Sequence, residues 1–237
     1  MNPPGNRFAA ASTVVLLVVL TACTSTNVGP APPRNDRLRT QSSPLVSPSP
    51  SERKKRAQSG HRKVHRLTAC RYEFPIQPSD AAHYGASHHD YPATDIFAPA
   101  GSAFVAPTDG KVNWVSRTDR WSGSVDDPAT RGGLSVAIIG DDGVRYYGSH
   151  LREIARGIKV GKRVRAGQKL GEVGNTGDAR GIAPHLHFGI SHPTAPSDWE
   201  VRRGEISPYQ YLNAWRSGDA ITPEVTGAGK PTCKPAS

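Results

Sequence analysis

Two histidines separated by a single residue, His185 and His187, are the clearest candidates for chemistry in this sequence. Alternate residues of a β-strand point to the same face, so the two imidazoles would lie side by side while Leu186 and Phe188 enter the core. Neighbouring imidazoles can ligate a metal ion or transfer a proton near neutral pH. A hydrogen-bonded structural pair is the alternative interpretation.

Four further residues are candidates to complete a site: His88, His89, Asp95 and His150. Catalytic zinc accepts neutral imidazole and carboxylate ligands, and its sites combine three protein ligands with one open position. His89, Asp95 and His187 would supply such a set of two histidines and one aspartate. His150 and His185 would then lie beside the metal.

Short β-type segments bounded by Gly, Pro, Asp and Asn would position these side chains. The segments are Gly110–Val115, Leu134–Ile139, Val144–Gly148, Lys169–Val173 and His185–Ile190. Asp141-Asp142-Gly143 separates two of them and predicts a hairpin turn. A helical pattern is present in Pro208–Trp215. The sequence therefore predicts an all-β, sandwich-like domain with one or two short helices.

The order of the motifs from His89 to Ile190 resembles that of the LytM/lysostaphin-type zinc peptidases, the M23 metallopeptidase family. The matching blocks are His89…Asp95-Ile96-Phe97-Ala98-Pro99, Pro107-Thr108-Asp109-Gly110-Lys111-Val112, Gly132-Gly133, Tyr147-Gly148-Ser149-His150-Leu151, Gly167-Gln168-Lys169-Leu170-Gly171, Gly174-Asn175-Thr176-Gly177 and His185-Leu186-His187-Phe188. The resemblance implies a compact β-sandwich, or barrel-sandwich-hybrid-like, peptidase domain.

The resemblance also implies an activity and roles for five residues. His89, Asp95 and His187 match the family's zinc ligands, and His150 and His185 match the pair that activates the attacking water and stabilises the oxyanion. The implied function is a zinc-dependent endopeptidase that cleaves peptide bonds in the stems or cross-links of bacterial peptidoglycan. A divisome or cell-wall regulator protein is a candidate partner.

One departure from the family pattern keeps a second ligand assignment open. Five residues separate His89 from Asp95, whereas the family has three, so His88 is a rival ligand. His89 is preferred because it requires the smaller loop adjustment. The same departure leaves a non-catalytic LytM-like module that regulates other cell-wall hydrolases as the alternative function. A lipoyl-like carrier is a further alternative, suggested by Val160–Gly171. Such a carrier would need a lysine on a tight turn and would not use His185 and His187.

The N-terminus predicts export. An apolar run from Phe8 to Leu20 is short for a membrane span but suits a signal peptide. It ends in Leu20-Thr21-Ala22-Cys23, which resembles a bacterial lipobox and predicts lipidation of Cys23, with a plain secretory signal as the alternative. Lipidation would anchor the protein at the outer face of the membrane or in the periplasm.

The remaining cysteines and the distribution of charge complete the predicted organisation. Cys70 and Cys233 are predicted to form a disulfide in an oxidising compartment, with two free thiols as the alternative. Ten Lys and Arg against two Asp and Glu lie between Thr24 and Ala69, so the basic charge belongs to a Pro- and Ser-rich tether and no nucleic-acid partner is expected. The predicted divisions are signal peptide 1–22, lipidated cysteine and tether 23–69, peptidase-like domain 70–216, and a tail 217–237 tied back by Cys233.

Overall fold

The computed structural model describes residues 67–236. The predicted signal peptide, Cys23 and nearly all of the predicted tether lie outside the described residues. Within 67–236, there is no helix with the length and apolar character needed to cross a membrane.

The described residues form ten β-strands, two α-helices and three short 3₁₀ helices. The strands are β1 (Ile76–Gln77), β2 (His83–Tyr84), β3 (Thr94–Phe97), β4 (Ala103–Val105), β5 (Gly110–Ser116), β6 (Leu134–Gly140), β7 (Arg145–Ile154), β8 (Arg163–Val164), β9 (Lys169–Val173) and β10 (His185–Ser191). The α-helices are α1 (Trp199–Arg202) and α2 (Tyr209–Ser217), and the 3₁₀ helices cover Ser79–Ala81, Pro128–Thr130 and Gly177–Ala179. The predicted all-β class with short helices is confirmed.

Every strand pair is antiparallel, and the long strand β7 makes the sheet curl. The main path runs β1-β4-β9-β7-β10-β3-β2, while β6 pairs with β7 and leads on to β5 and β8. Residues 145–149 of β7 pair with β10, and residues 151–154 pair with β9 across a register shift. Leu151 pairs with both Leu134 and Val173, so β9 follows β10 along one edge of β7 while β6 occupies the other.

The core lies under the face of β10 that carries Leu186, Phe188 and Ile190, all fully buried. Alternation along the strand therefore leaves the other face to the two histidines, as predicted. Gly148 of β7 allows this packing, because a Cβ there would collide with the ring of Phe104 and with Leu186. Burial of each large apolar side chain contributes about 1.5–3 kcal/mol to folding.

A disulfide joins Cys70 to Cys233, and both cysteines are buried. Beside it, the amide of Cys70 donates to the carbonyl of Lys234 at 2.9 Å. The chain after α2 also packs on the turn between β6 and β7, where the amide of Gly229 donates to the carbonyl of Gly143 at 2.8 Å. Gly143 has φ +84°, and a Cβ there would collide with Gly229, so this approach requires glycine. The C-terminal segment is thus attached to the fold at two places.

Candidate metal centre

Strand register brings Asp95 and His187 together. The two residues are directly opposite each other in the antiparallel pair of β3 and β10. Opposed residues project to the same face, and Nδ1 of His187 lies 3.0 Å from Oδ1 of Asp95. The adjacent pair, Ile96 and Leu186, is buried in the core, which fixes the register.

The loop between β2 and β3 adds His88 to this pair. Nε2 of His88 lies 3.8 Å from Oδ2 of Asp95, and the ring centroids of His88 and His187 are 5.0 Å apart. One potential ligand atom from each of the three residues lies within 4.8 Å of the others. His89, the ligand preferred from the sequence, is exposed and lines the same cleft outside this group.

Aromatic packing explains why the loop presents His88 rather than His89. The ring centroids of His88 and Tyr91 are 4.4 Å apart. The guanidinium of Arg203 covers the ring of Tyr91 at 3.9 Å from its centre. These contacts hold His88 over β10, whereas His89 projects outward. The preference for His89 rests on its match to the family pattern and its smaller loop adjustment, and neither criterion reveals this packing.

The hydrogen bonds of His187 show which nitrogen is free for a metal. Nε2 lies 2.9 Å from the carbonyl oxygen of Arg203, which can only accept, so Nε2 carries the proton. In a neutral ring, Nδ1 then directs a lone pair at Oδ1 of Asp95, and two acceptors 3.0 Å apart require a proton or a cation between them. An imidazole that ligates with one nitrogen and donates to a carbonyl with the other is the usual arrangement at zinc sites. His88, Asp95 and His187 therefore fit zinc by donor type and spacing.

Gly189 permits the contact between His187 and Arg203. It lies two residues after His187 on the same face of β10, and a Cβ there would collide with the carbonyl group of Arg203. The absent side chain lets the C-terminal end of α1 lie directly on the strand. Sequence analysis missed both residues, although a glycine inside a strand commonly marks such a close backbone approach.

His150 and His185 form a second pair beside the candidate ligands, with ring centroids 4.9 Å apart. Nδ1 of His150 donates to the carbonyl of Thr176 at 2.8 Å, and Nδ1 of His185 donates to the carbonyl of Ala183 at 2.9 Å. In the neutral rings, Nε2 therefore carries the lone pair. His150 also has φ +62°, a left-handed backbone conformation that costs about 1–3 kcal/mol and is concentrated at functional sites.

The pKa shifts at the site favour neutral His88 and His150 and an ionised Asp95. Burial, reinforced by the neighbouring His187 and His185, lowers the pKa of His150 to about 3. Burial and His187 also lower the pKa of His88. Burial alone would raise the pKa of Asp95, but the hydrogen bond and positive charge of a protonated His187, at the place that a bound cation would take, outweigh it and lower that pKa to about 2. These are the protonation states that metal binding requires.

The histidines open onto a cleft of about 320 Å³. The loop between β5 and β6 contributes Pro128, Ala129 and Arg131 to its wall. Asp119 attaches this loop to the turn that follows β9, because its Oδ2 accepts from the amide of Gly177 at 3.1 Å and from Nη2 of Arg180 at 2.6 Å. The opposite wall comes from the His88 loop and from α1.

Comparisons with known proteins find similarity in the segment that carries most of these residues. Residues 89–199 match the family model of peptidase family M23. The segment from His89 to Trp199 is thus similar to the M23 peptidases, in agreement with the resemblance of its motifs.

Individual relatives match only part of their length. The chain is 29% identical over 149 residues to an L-Ala--D-Glu endopeptidase of Bacillus subtilis (strain 168), a match covering 61% of this chain and 40% of that protein. It is 33% identical over 116 residues to the glycyl-glycine endopeptidase ALE-1 of Staphylococcus capitis, covering 48% of this chain and 26% of that protein. The solved catalytic domain of lysostaphin from Staphylococcus simulans is 26% identical with a TM-score of 0.44, covering 57% of this chain and 95% of the other. The chain thus spans less than half the length of these two curated relatives.

Proposed function

We propose that this protein is a zinc-dependent endopeptidase that cleaves peptide bonds in the stems or cross-links of bacterial peptidoglycan. The observation that carries the proposal is the convergence of ligand atoms from His88, Asp95 and His187 within 4.8 Å, beside two histidines whose Nδ1 protons are engaged by carbonyls. The proposed zinc ligands are these three residues, with His88 in place of His89. His150 and His185 are the proposed catalytic residues.

The names of the relatives support assignment of this chain as a peptide-bond hydrolase. One relative is named for cleavage between L-Ala and D-Glu and another for cleavage between glycines. The two relatives are thus named for cleavage of different peptide bonds but for the same reaction, which is peptide-bond hydrolysis. We therefore assign peptide-bond hydrolysis to this chain and leave the choice of bond to the shape and charge of its own cleft.

The chemistry divides between metal and histidines. When bound, zinc supplies a Lewis acid that acidifies water and polarises a carbonyl. Nε2 of His150 or His185 can accept the proton of the attacking water, because each Nδ1 is already a donor to a carbonyl. The imidazolium formed in this way can donate to the oxyanion or return the proton to the leaving amine. The carbonyls of Thr176 and Ala183 hold the two rings in the required tautomer.

The location of the protein follows from the N-terminal prediction. We propose that lipid on Cys23 anchors the chain to the outer face of the membrane, with 23–69 as a tether for the domain at 70–216 and the tail 217–237. The buried disulfide between Cys70 and Cys233 supports an oxidising, exported location. Peptidoglycan is the proposed partner, and a divisome or cell-wall regulator protein remains a candidate.

Zinc content and hydrolysis, measured together on the full chain, test the proposal. We expect one zinc per chain and release of new amines from purified peptidoglycan that stops when a chelator removes the metal. The variant His187→Ala is the matched control and should lose both zinc and release. Stoichiometric zinc without release would favour the regulatory module over the enzyme. A folded wild-type chain that binds no zinc would contradict the metal centre itself.

A further inference from the structure

A second cavity adjoins the candidate catalytic cleft. It has a volume of about 250 Å³ and is lined in part by Trp114, Arg120 and Asp127. The two cavities share Ala129, Gly132, Tyr147, Trp199 and Arg202 in their walls. A peptide held in the catalytic cleft can therefore extend into the second cavity without leaving the protein surface.

Arg202 is a buried cation in this shared wall. The residue is 4% exposed, and its guanidinium stacks over Trp114 at 3.9 Å from the ring centre and approaches Tyr147 at 5.5 Å. Its Nη1 donates to the carbonyl of Pro196, while Nε has no hydrogen-bond partner among the described residues. Such burial is costly for an ion with five N–H donors unless an anion accompanies it.

Neighbouring carboxylates do not pair with Arg202 directly. Among residues 67–236, no carboxylate oxygen forms an ion pair with its guanidinium within 4.0 Å, and although the charge of Asp198 acts on it from farther away, burial outweighs that charge and lowers the pKa of Arg202. The carboxylate of Asp127 caps the adjacent 3₁₀ helix by accepting from the amide of Ala129 at 3.0 Å. Asp198 caps α1 in the same way through the amide of Val201. A second buried guanidinium, that of Arg145, adds positive charge near Arg202. Burial, and then the charge of Arg202, lower the pKa of Arg145.

We propose that the second cavity binds a carboxylate of the peptide substrate through Arg202. This inference rests on the proposed peptidase function and names the substrate class of that site as a peptide with a free carboxylate near the scissile bond. A guanidinium can bind a carboxylate with two parallel hydrogen bonds, and the aromatic rings beneath it hold its plane fixed. Exposed Arg120 in the same wall adds a second positive charge. Arg202 itself lies just beyond the segment 89–199 that matches the family model, whereas Trp114 and Tyr147, on which its guanidinium rests, lie within it.

A pair of stem peptides tests this assignment on the full, zinc-loaded chain. One peptide carries its free carboxylates and the other carries amides at the same positions. For wild type, we expect a KM about tenfold lower for the carboxylate peptide and a similar kcat for both, as for loss of one charge-assisted contact. Equal KM values for the two peptides would overturn the proposal.

Substitutions of Arg202 test whether this residue causes the preference for the carboxylate peptide. Arg202→Gln should reduce the advantage of the carboxylate peptide to less than about threefold, through KM, because the charge is lost. Arg202→Lys serves if that variant does not fold, and it should also weaken the preference because the two-pronged donor is gone. Arg156→Gln removes an exposed arginine outside both cavities and should retain the full preference. Retention of the full preference in folded Arg202→Gln or Arg202→Lys would overturn the assignment to Arg202.

A binding measurement separates this inference from the peptidase function. The His185→Ala variant should bind both peptides without cleaving them, so their Kd values can be compared by calorimetry. A tenfold tighter Kd for the carboxylate peptide supports the subsite even if wild type cleaves neither peptide, a result that would contradict the enzyme alone. Equal Kd values would overturn the subsite even if wild type is an active peptidase.

Discussion

The carbonyl oxygen of Arg203 lies 2.9 Å from Nε2 of His187, so the backbone at the end of α1 orients a candidate metal ligand. The contact depends on Gly189, which leaves space for that carbonyl on β10. The outer support of the candidate metal centre is therefore a peptide group rather than a side chain, and mutation of the arginine side chain would leave the accepting atom in place.

Replacement of Gly189 should weaken zinc binding without removing a ligand. In Gly189→Ala, the new Cβ would displace the carbonyl of Arg203 and free the ring of His187. We expect zinc affinity to fall about 10- to 100-fold, the usual effect of losing such an outer partner. Competition with a chelator measures this affinity. Gly85→Ala is the control, because a Cβ there meets no atom within 4 Å. Unchanged affinity in a folded Gly189→Ala chain would contradict the role assigned to the contact.

Replacement of His88 and replacement of His89 should have different effects on the zinc content of the chain. His88→Ala should bind well under one zinc per chain, because the ligand nearest to Asp95 from that loop is lost. His89→Ala should bind a full equivalent, because its ring is exposed outside the group. Metal analysis after gel filtration measures both. The reverse pattern would restore His89 as the ligand and show that the loop rearranges around zinc.

The second histidine pair should affect turnover but not metal content. His150→Ala and His185→Ala should each retain one zinc and lose hydrolysis by about 10²- to 10⁴-fold, the usual contribution of proton transfer. Amine release from peptidoglycan gives the rate, and metal analysis gives the zinc content. His192→Ala is the control, because that ring contacts Glu205 at 2.6 Å and lines neither cavity. Full activity in both cleft variants would refute their catalytic assignment.

The disulfide should stabilise the fold without shaping the cleft. Cys70 and Cys233 are 163 residues apart, so their bond constrains a long loop of the unfolded chain. We expect the double variant Cys70→Ser, Cys233→Ser to lose about 2–5 kcal/mol of unfolding free energy, measured by urea denaturation. Reductant should destabilise wild type and leave the double variant unchanged. Equal urea midpoints for the two proteins under oxidising conditions would disprove a stabilising bond.

Several strands were predictable because runs of β-type residues are bounded by Gly, Pro, Asp and Asn. The observed β5, β6, β9 and β10 begin at the predicted residues and end at most one residue later. β7 starts one residue later and ends six residues later than predicted, since it continues through His150 in a left-handed conformation to pair with β9. That continuation depends on a partner distant in sequence, and local pattern carries no information about it.

The site was predictable where strand register determined it and not where loops or backbone did. Asp95 and His187 follow from residue type and alternation on paired strands. The choice of His88 depends on how a loop packs against Tyr91, which spacing does not encode. The carbonyl of Arg203 has no residue-type signature at all, because every residue carries the same group.

The attachment of the loop between β5 and β6 has a consequence for substrate choice. Asp119 joins that loop to Gly177 and Arg180, so the wall is ordered as part of folding and not on arrival of a ligand. A peptide that fits loses its own freedom on binding but does not have to immobilise the wall as well. Selection in such a rigid groove works by exclusion, because a bulkier or branched chain meets a wall that does not yield.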